Sequence, residues 1–387
     1  MPAPLAGLRV LDLSRLLPGP YCTLLLAELG AEVIKIETPR VGDYLRHAPA
    51  QLGFAGMFEI LNRHKQSVAL NYRNPRGKDV FLRLARAADV IVETFRPGAM
   101  TRWGIGYEAV RALSPEIIYC SLSGYGQSGP ARVLAGHDLN YLALGGFLDM
   151  NGPAGGPPVI PGVPVADLAG GSLAALSILA AAVGRARGQG GRYLDVAMLD
   201  AVISWMLPIA GSFLFSQGGL PPRGRMPLSG GLPSYHIYQT ADDEWVTFAA
   251  LEPNLWADFC AAVNRPDLNA RQFDPAAIAD MAALFREKKR ADWLAAFQGK
   301  DICVEPVNDF ANAWRDPQVL HRGLAQPGAD PLSTIGPPFQ FAAPEHPGPA
   351  PALGQHTRTV LRQIGLTEVD IQKLESDGVA KSAPGQG

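Results

Sequence analysis

Leu8-Arg9-Val10-Leu11-Asp12-Leu13 is a short β-prone run that stops at Ser14-Arg15-Leu16-Leu17-Pro18-Gly19-Pro20. Residues 21–29 then read as a helix, and Glu32-Val33-Ile34-Lys35-Ile36 as a second strand. The alternation continues. Residues 77–87 carry Val80, Phe81, Leu84 and Ala87 at helical spacing and lead into a strand at 89–92, and a helix near 108–113 precedes a strand at 116–121. This β-α-β-α-β order predicts a parallel sheet with helices on both faces. Ligands of such sheets sit beyond the carboxyl ends of the strands. Here those ends are residues 14–20, 93–98 and 121–124, which the order places on one edge.

Beyond them comes a long helix of small apolar residues from about 170 to 186, ended by Gly188, and then a strand and helix over 192–207. Residues 208–233 hold Gly218-Gly219, Pro221-Pro222 and Gly230-Gly231 and read as an extended linker. A hairpin at 235–239 and 244–249 flanks Asp242-Asp243, followed by helices at 253–263, 276–285 and 290–297. A second proline-rich stretch, 337–351, leads to a last helix at 357–364, and 380–387 reads as disordered. The organisation expected is a large domain from 1–207 and 338–387, a linker at 208–233, a small α+β domain at 234–324 and a return linker at 325–337.

The composition, 47% apolar and 18% charged over 387 residues, is that of a globular enzyme with a sizeable core. A net charge of −2 gives no overall attraction for nucleic acid or an anionic membrane, so neither is expected as a partner. Cys22, Cys120, Cys260 and Cys303 are scattered without metal-ligand spacing, which points to a reducing compartment and away from a zinc site or disulfide framework. The first residues carry no basic stretch ahead of an apolar run, so a cytoplasmic protein is expected. The apolar run 173–183 is closed by Arg185 and Arg187 short of a membrane span, and reads as a core helix.

Several motifs carry possible chemistry. Gly124-Tyr125-Gly126-Gln127-Ser128-Gly129 matches G-x-G-x-x-G after a strand, but Pro130 and the lack of a following apolar helix break the context a dinucleotide site needs. Arg96, Arg73 and Arg102 near the strand ends are candidates for an anion site, against the ordinary reading of surface arginines. His137 in Gly136-His137-Asp138-Leu139-Asn140-Tyr141 and Asp167, ahead of Gly170-Gly171, are two separate proton-handling groups. Taken singly, His137 reads as a hydrogen-bonded structural histidine, Asp167 as a helix cap, and Glu252 before Pro253 as a first-turn acid.

In their order along the chain, these pieces resemble the family III CoA-transferase and α-methylacyl-CoA racemase family (CaiB/BaiF-like). The matching segments are 7–13 with Pro18-Gly19-Pro20, 29–37, 92–98, 124–130, 136–141, Asp167 with its glycines, 195–200, and Leu251-Glu252-Pro253. The resemblance implies a Rossmann-like parallel-sheet large domain built from both ends of the chain, a smaller α+β domain from the middle, and an interlocked homodimer. It implies acyl-CoA as substrate, with CoA contacts at Pro18, Arg40, Asn71, Arg73, Thr94, Arg96, Arg102, Gly136 and Tyr141, and no separate cofactor. Thr38 stands where relatives often carry an arginine, and Arg40 is expected to substitute.

Within that family the sequence looks more like the racemase branch, whose histidine, aspartate and glutamate match His137, Asp167 and Glu252. The transferase branch needs only the aspartate, as a nucleophile. Its glycine-rich loop is represented here by Ser229-Gly230-Gly231-Leu232 alone. Moving a proton off the α-carbon of a thioester and returning it from the other face takes two groups in complementary protonation states. The expectation is that Asp167 stays ionised as one base, that His137, with its tautomer fixed by Glu252, is the other, and that amides near Gly170 and Gly171 meet the enolate oxygen. The alternatives are a CoA-transferase working through Asp167 and a non-catalytic CoA-binding protein.

Overall fold

The computed structural model describes residues 3–49, 54, 56–216, 219–326, 334–344 and 347–384. The chain divides into two compact units, one of Met1–Gly145, Val163–Trp205 and Arg322–Gly387, the other of Gly146–Gly162 and Met206–His321.

The first unit is organised by a seven-stranded sheet. Its strands are β1 (Arg9–Asp12), β2 (Glu32–Glu37), β3 (Gln66–Leu70), β4 (Val90–Glu93), β5 (Ile118–Ser123) and β6 (Arg192–Ala197), with a short strand, Ala380–Lys381, at one edge. The spatial order is Ala380–Lys381, β3, β2, β1, β4, β5, β6. All pairs are parallel except the first, in which Ala380 and Lys381 run antiparallel to Leu70 and Ala69. The parallel α/β reading thus holds. The central strands are buried on both faces, which is why Val10, Leu11, Val33, Ile34, Val90 and Ile91 are at most 1% exposed. The chain winds outward from β1 in one direction through β2 and β3, then returns to β4 on the other side of β1. That reversal opens a crevice at the carboxyl ends of β1 and β4.

Four local readings are corrected. Strand β3 (QSVAL) was not foreseen, because a five-residue run with a polar start gives little periodicity. The long helix is Val165–Ala186, five residues longer at its start than expected, so Asp167 lies in its first turn and not in a loop before it. Its buried Ala169, Ala174, Ala175 and Ile178 pack it as a core element, although at 22 residues it is longer than the sequence suggested. Residues 380–381 of the supposedly disordered tail form the edge strand, since the open side of β3 offers unpaired backbone groups; the last three residues lie outside the described ones.

The second unit has a three-stranded antiparallel sheet of β7 (Tyr235–Gln239), β8 (Trp245–Ala249) and β9 (Val304–Pro306), in that order. Helices Pro253–Ala262, Ala277–Phe285 and Arg290–Phe297 cover it. Their shared core is aromatic, with Phe248, Trp256, Phe259, Phe285, Trp293 and Phe297 all buried. Part of the stretch read as a linker, 208–233, is instead the helix Leu207–Phe215. Its apolar run LPIAGSFLF, opened by a proline suited to a first turn, outweighs the glycines and prolines that follow. The return linker expected at 325–337 lies largely outside the described residues; its ends, Ala325–Gln326 and Thr334–Ile335, pair as a two-stranded ribbon.

Candidate active site

The crevice at the carboxyl ends of β1, β4 and β5 holds a cavity of 520 Å³. Arg15, Leu16 and Pro18 after β1, Thr94, Phe95 and Arg96 after β4, and Ser123, Gly124 and Tyr125 at the end of β5 line it. Tyr44, Arg132, Leu134, Gly136, His137, Tyr141, Asp167 and Met198 complete the wall. His137 and Asp167, thirty residues apart in sequence, therefore face one space. Of the CoA contacts implied by resemblance, Pro18, Thr94, Arg96, Gly136 and Tyr141 line the cavity. Arg40, Asn71, Arg73 and Arg102 stand outside that lining, with Arg73 stacked 4.3 Å from the Trp103 ring. Glu252 belongs to the second unit, where it is exposed and precedes the helix Pro253–Ala262.

His137 is the N-cap residue of the helix Asp138–Leu144, with extended backbone angles, and its N–H donates to Asn140 Oδ1 at 2.9 Å. One helical turn on, Tyr141 is 4% exposed, donates to the Gly136 carbonyl at 2.6 Å and meets Tyr125 edge to face at 5.0 Å. The short loop before the helix is thereby held at its own first turn, which keeps His137 at the cavity wall. Burial, with the carboxylates of Asp167 and Asp138 nearby, pushes the Tyr141 phenol up to about 12.

Asp167 is positioned by Asp138, a residue to which the sequence assigned no role. The helix Val165–Ala186 follows Pro164, which has no side-chain cap to offer its first amides. Asp138 supplies the cap from another helix: its Oδ1 accepts the Ala166 N–H at 2.6 Å and the Asp167 N–H at 3.1 Å. The available signal was the missing Ser, Thr, Asp or Asn before Val165, which leaves donors to be met from elsewhere.

The expectation that Asp167 stays ionised is corrected. Burial first, and the like charge of Asp138 second, push its carboxyl up to about 7, so near neutral pH it is shared between both forms. The expected role of Gly170 and Gly171 is also corrected. Both are buried inside the helix, where a side chain at Gly170 would come within 2.6 Å of Met198 Cγ and one at Gly171 within 2.5 Å of the Pro18 carbonyl oxygen. Those glycines allow close packing with the residues around them; their amides belong to the helix and do not face a ligand.

Two arginines of the wall, Arg15 and Arg132, were not singled out from the sequence. With Arg96 they give the cavity three guanidinium groups, a donor set suited to anionic oxygens. Gly124 to Gly129 forms a loop at the cavity edge, with Gly126 and Gly129 at φ of +85° and +82°, and no helix follows it directly, as the rejected dinucleotide reading requires. Among the described residues no cluster of three or more His, Cys, Asp or Glu side chains is placed to hold a metal ion.

Comparison with known proteins gives a consistent result. A family model described as CoA-transferase family III matches residues 5–357. Succinyl-CoA:glutarate CoA-transferase of Mus musculus is 35% identical, with 97% of this chain and 90% of that protein aligned. Alpha-methylacyl-CoA racemase of Homo sapiens is 34% identical, with 98% of each aligned. The crystal structure of a CaiB/BaiF family protein from Brucella suis superposes with a TM-score of 0.81 at 28% identity, covering 94% of this chain and 100% of that one.

Proposed function

The chain belongs to CoA-transferase family III, as an enzyme of its transferase and racemase type, and on that premise we propose that it is a racemase of 2-methylacyl-CoA thioesters. The observation that carries this reading is the pairing of His137 with a near-neutral Asp167 in one cavity. A racemase needs one group that accepts the α-proton and another that already holds a proton to return. A carboxyl near 7 serves in either state, and the His137 imidazole, which faces the same cavity, is the second group that can hold or give a proton. In one direction the Asp167 carboxylate takes the α-proton, the electron pair moves into the thioester carbonyl as an enolate, and His137 delivers a proton to the opposite face. The reverse reaction exchanges the two roles. Metal and redox cofactors have no part in it.

Incubation of 2-methylpropanoyl-CoA in deuterium oxide tests the reading. Label is expected at the α-carbon, and is lost in both His137→Ala and Asp167→Ala; an unlabelled product from protein that still binds CoA overturns it.

A second reading, a CoA-transferase with Asp167 as nucleophile, is favoured by the similarity to succinyl-CoA:glutarate CoA-transferase. It requires His137→Ala to retain activity and hydroxylamine to trap a thioester on Asp167 during turnover. We further propose that a second copy of the chain covers the apolar side chains Leu176, Val183, Ile203 and Trp205 of the first unit, which are 52–62% exposed. Sedimentation at the mass of one chain would count against that.

A further inference from the structure

Beneath the cavity lies a group of buried charges that the proton transfer does not use. Asp12, Lys35 and Asp43 are 0% exposed, Lys65 3% and Glu37 4%. Lys65 pairs with Asp12 at 3.1 Å, Lys35 with Asp43 at 3.1 Å, and Arg46 with Glu37 at 2.7 Å. Buried ion pairs often stabilise a fold no better than apolar side chains of similar volume, so stability alone is a weak account of these three.

The Lys35–Asp43 pair touches the cavity wall on two sides. Asp43 Oδ1 accepts the Leu16 N–H at 3.3 Å and the Leu45 N–H at 3.1 Å, and Lys35 Nζ donates to the Ser14 carbonyl at 2.9 Å. The pair therefore joins the loop after β1 to the 3₁₀ turn Tyr44–His47. Leu16 has φ +64°, a left-handed conformation that its side chain disfavours, so the loop does not hold this shape unaided. Across the corner formed in this way, the Arg15 guanidinium lies 4.7 Å from the Phe95 ring and 5.0 Å from the Tyr44 ring. Its Nη1 donates to the Tyr44 hydroxyl at 3.1 Å, and the Arg15 N–H to Thr94 Oγ1 at 3.2 Å.

We propose that Asp43, paired with Lys35, is a positioning residue for Arg15, and that Arg15 held in this way binds an anionic oxygen group of the thioester. The anion is a phosphate of CoA or a carboxylate on the acyl chain, both of which suit a planar guanidinium fork. The inference rests on the reading of the cavity as a CoA-thioester site. Asp43 acts on binding, because it meets the substrate only through Arg15 and the loop.

The test is a double-mutant cycle on Arg15→Ala and Asp43→Asn, read as dissociation constants for 2-methylpropanoyl-CoA and for methylmalonyl-CoA. Each single change is expected to weaken binding about tenfold, the size of one lost charge-assisted hydrogen bond. The double variant is expected to be no weaker than Arg15→Ala, and the exchange rate at saturating substrate to stay within about twofold for Asp43→Asn. A loss seen with both thioesters assigns the phosphate, and a loss confined to methylmalonyl-CoA assigns the carboxylate. Tyr44→Phe, which removes one exposed hydroxyl, gives a smaller loss of the same kind and serves if Asp43→Asn does not fold. Losses that multiply in the double variant, or an Arg15→Ala protein that binds both thioesters as the parent does, overturn the proposal. A parent protein that binds neither thioester overturns the reading of the cavity and the proposal with it.

Discussion

Asp12, fully buried, and Asp167, half-buried at the cavity wall, stand at the same end of one sheet, and they respond in opposite directions. Desolvation pushes each carboxyl up. At Asp12, Lys35 and Lys65 outweigh it with hydrogen bonds from Ser14 and Thr23, and hold the group well below the usual carboxylate range. At Asp167 the charged neighbour is Asp138, of the same sign, and the group rises to about 7. Burial by itself thus says little about a carboxylate; the charges around it decide whether it is a fixed anion or a group that can move a proton. The charge on Lys65 is itself strained, since burial lowers it to about 8 in spite of Asp12.

The strongest way to break the contrast is to neutralise each member. Asp167→Asn is expected to lower α-proton exchange about a thousandfold, measured as deuterium incorporation, while the protein keeps its fold. Asp12→Asn should do the reverse. It leaves the buried Lys65 ammonium without its carboxylate, while Lys35 keeps Asp43, so a loss of roughly 3 kcal/mol in urea unfolding is expected. Equal stability of the Asp12 variant and its parent would erase the distinction.

Next in size is the pH dependence. Because the folded carboxyl of Asp167 lies above its unfolded value, its contribution to stability is fully present below about pH 4 and is lost as pH rises through about 7. Removing that carboxyl should make Asp167→Asn more stable than its parent at pH 8 by ~1–3 kcal/mol, and indistinguishable from it near pH 4. His64, which burial and the Arg63 charge lower to about 4, behaves in the opposite sense. Its Nδ1 accepts the Gly348 N–H at 3.1 Å, and the stability tied to it is present above about pH 6.5 and lost as pH falls through 4. The smallest effect is expected from Asp138→Asn. It removes the like charge, so the acid limb of the exchange profile moves to lower pH, and a weakened cap costs about 1 kcal/mol. An unmoved limb would mean that burial alone sets Asp167.

The parallel sheet was legible from the alternation of 8–36 and 77–121, because buried strands and amphipathic helices leave opposite periodicities. The three strand ends were legible for the same reason, and they frame the cavity. His137 and Asp167 were both visible as titratable groups. What stayed hidden depends on contacts between distant residues. The start of the helix Val165–Ala186 was misplaced because its cap comes from Asp138, twenty-eight residues away from Ala166. The protonation of Asp167 was misjudged because a helix start favours a carboxylate, whereas burial and a neighbouring carboxylate, neither of them a local signal, oppose it. The β1 loop gave no warning of Leu16 either, since nothing in Ser14-Arg15-Leu16 names a left-handed leucine held by Asp43.

Asp138 follows His137 directly in the chain and grips the turn that bears Asp167. One side chain therefore links His137 to the turn that bears Asp167. If the Asp167 turn drifts, Asp138 is drawn with it, and so is the residue before it. The Asp167 turn is tied to the residue next to His137 by one carboxylate, a linkage far shorter than the path through the sheet.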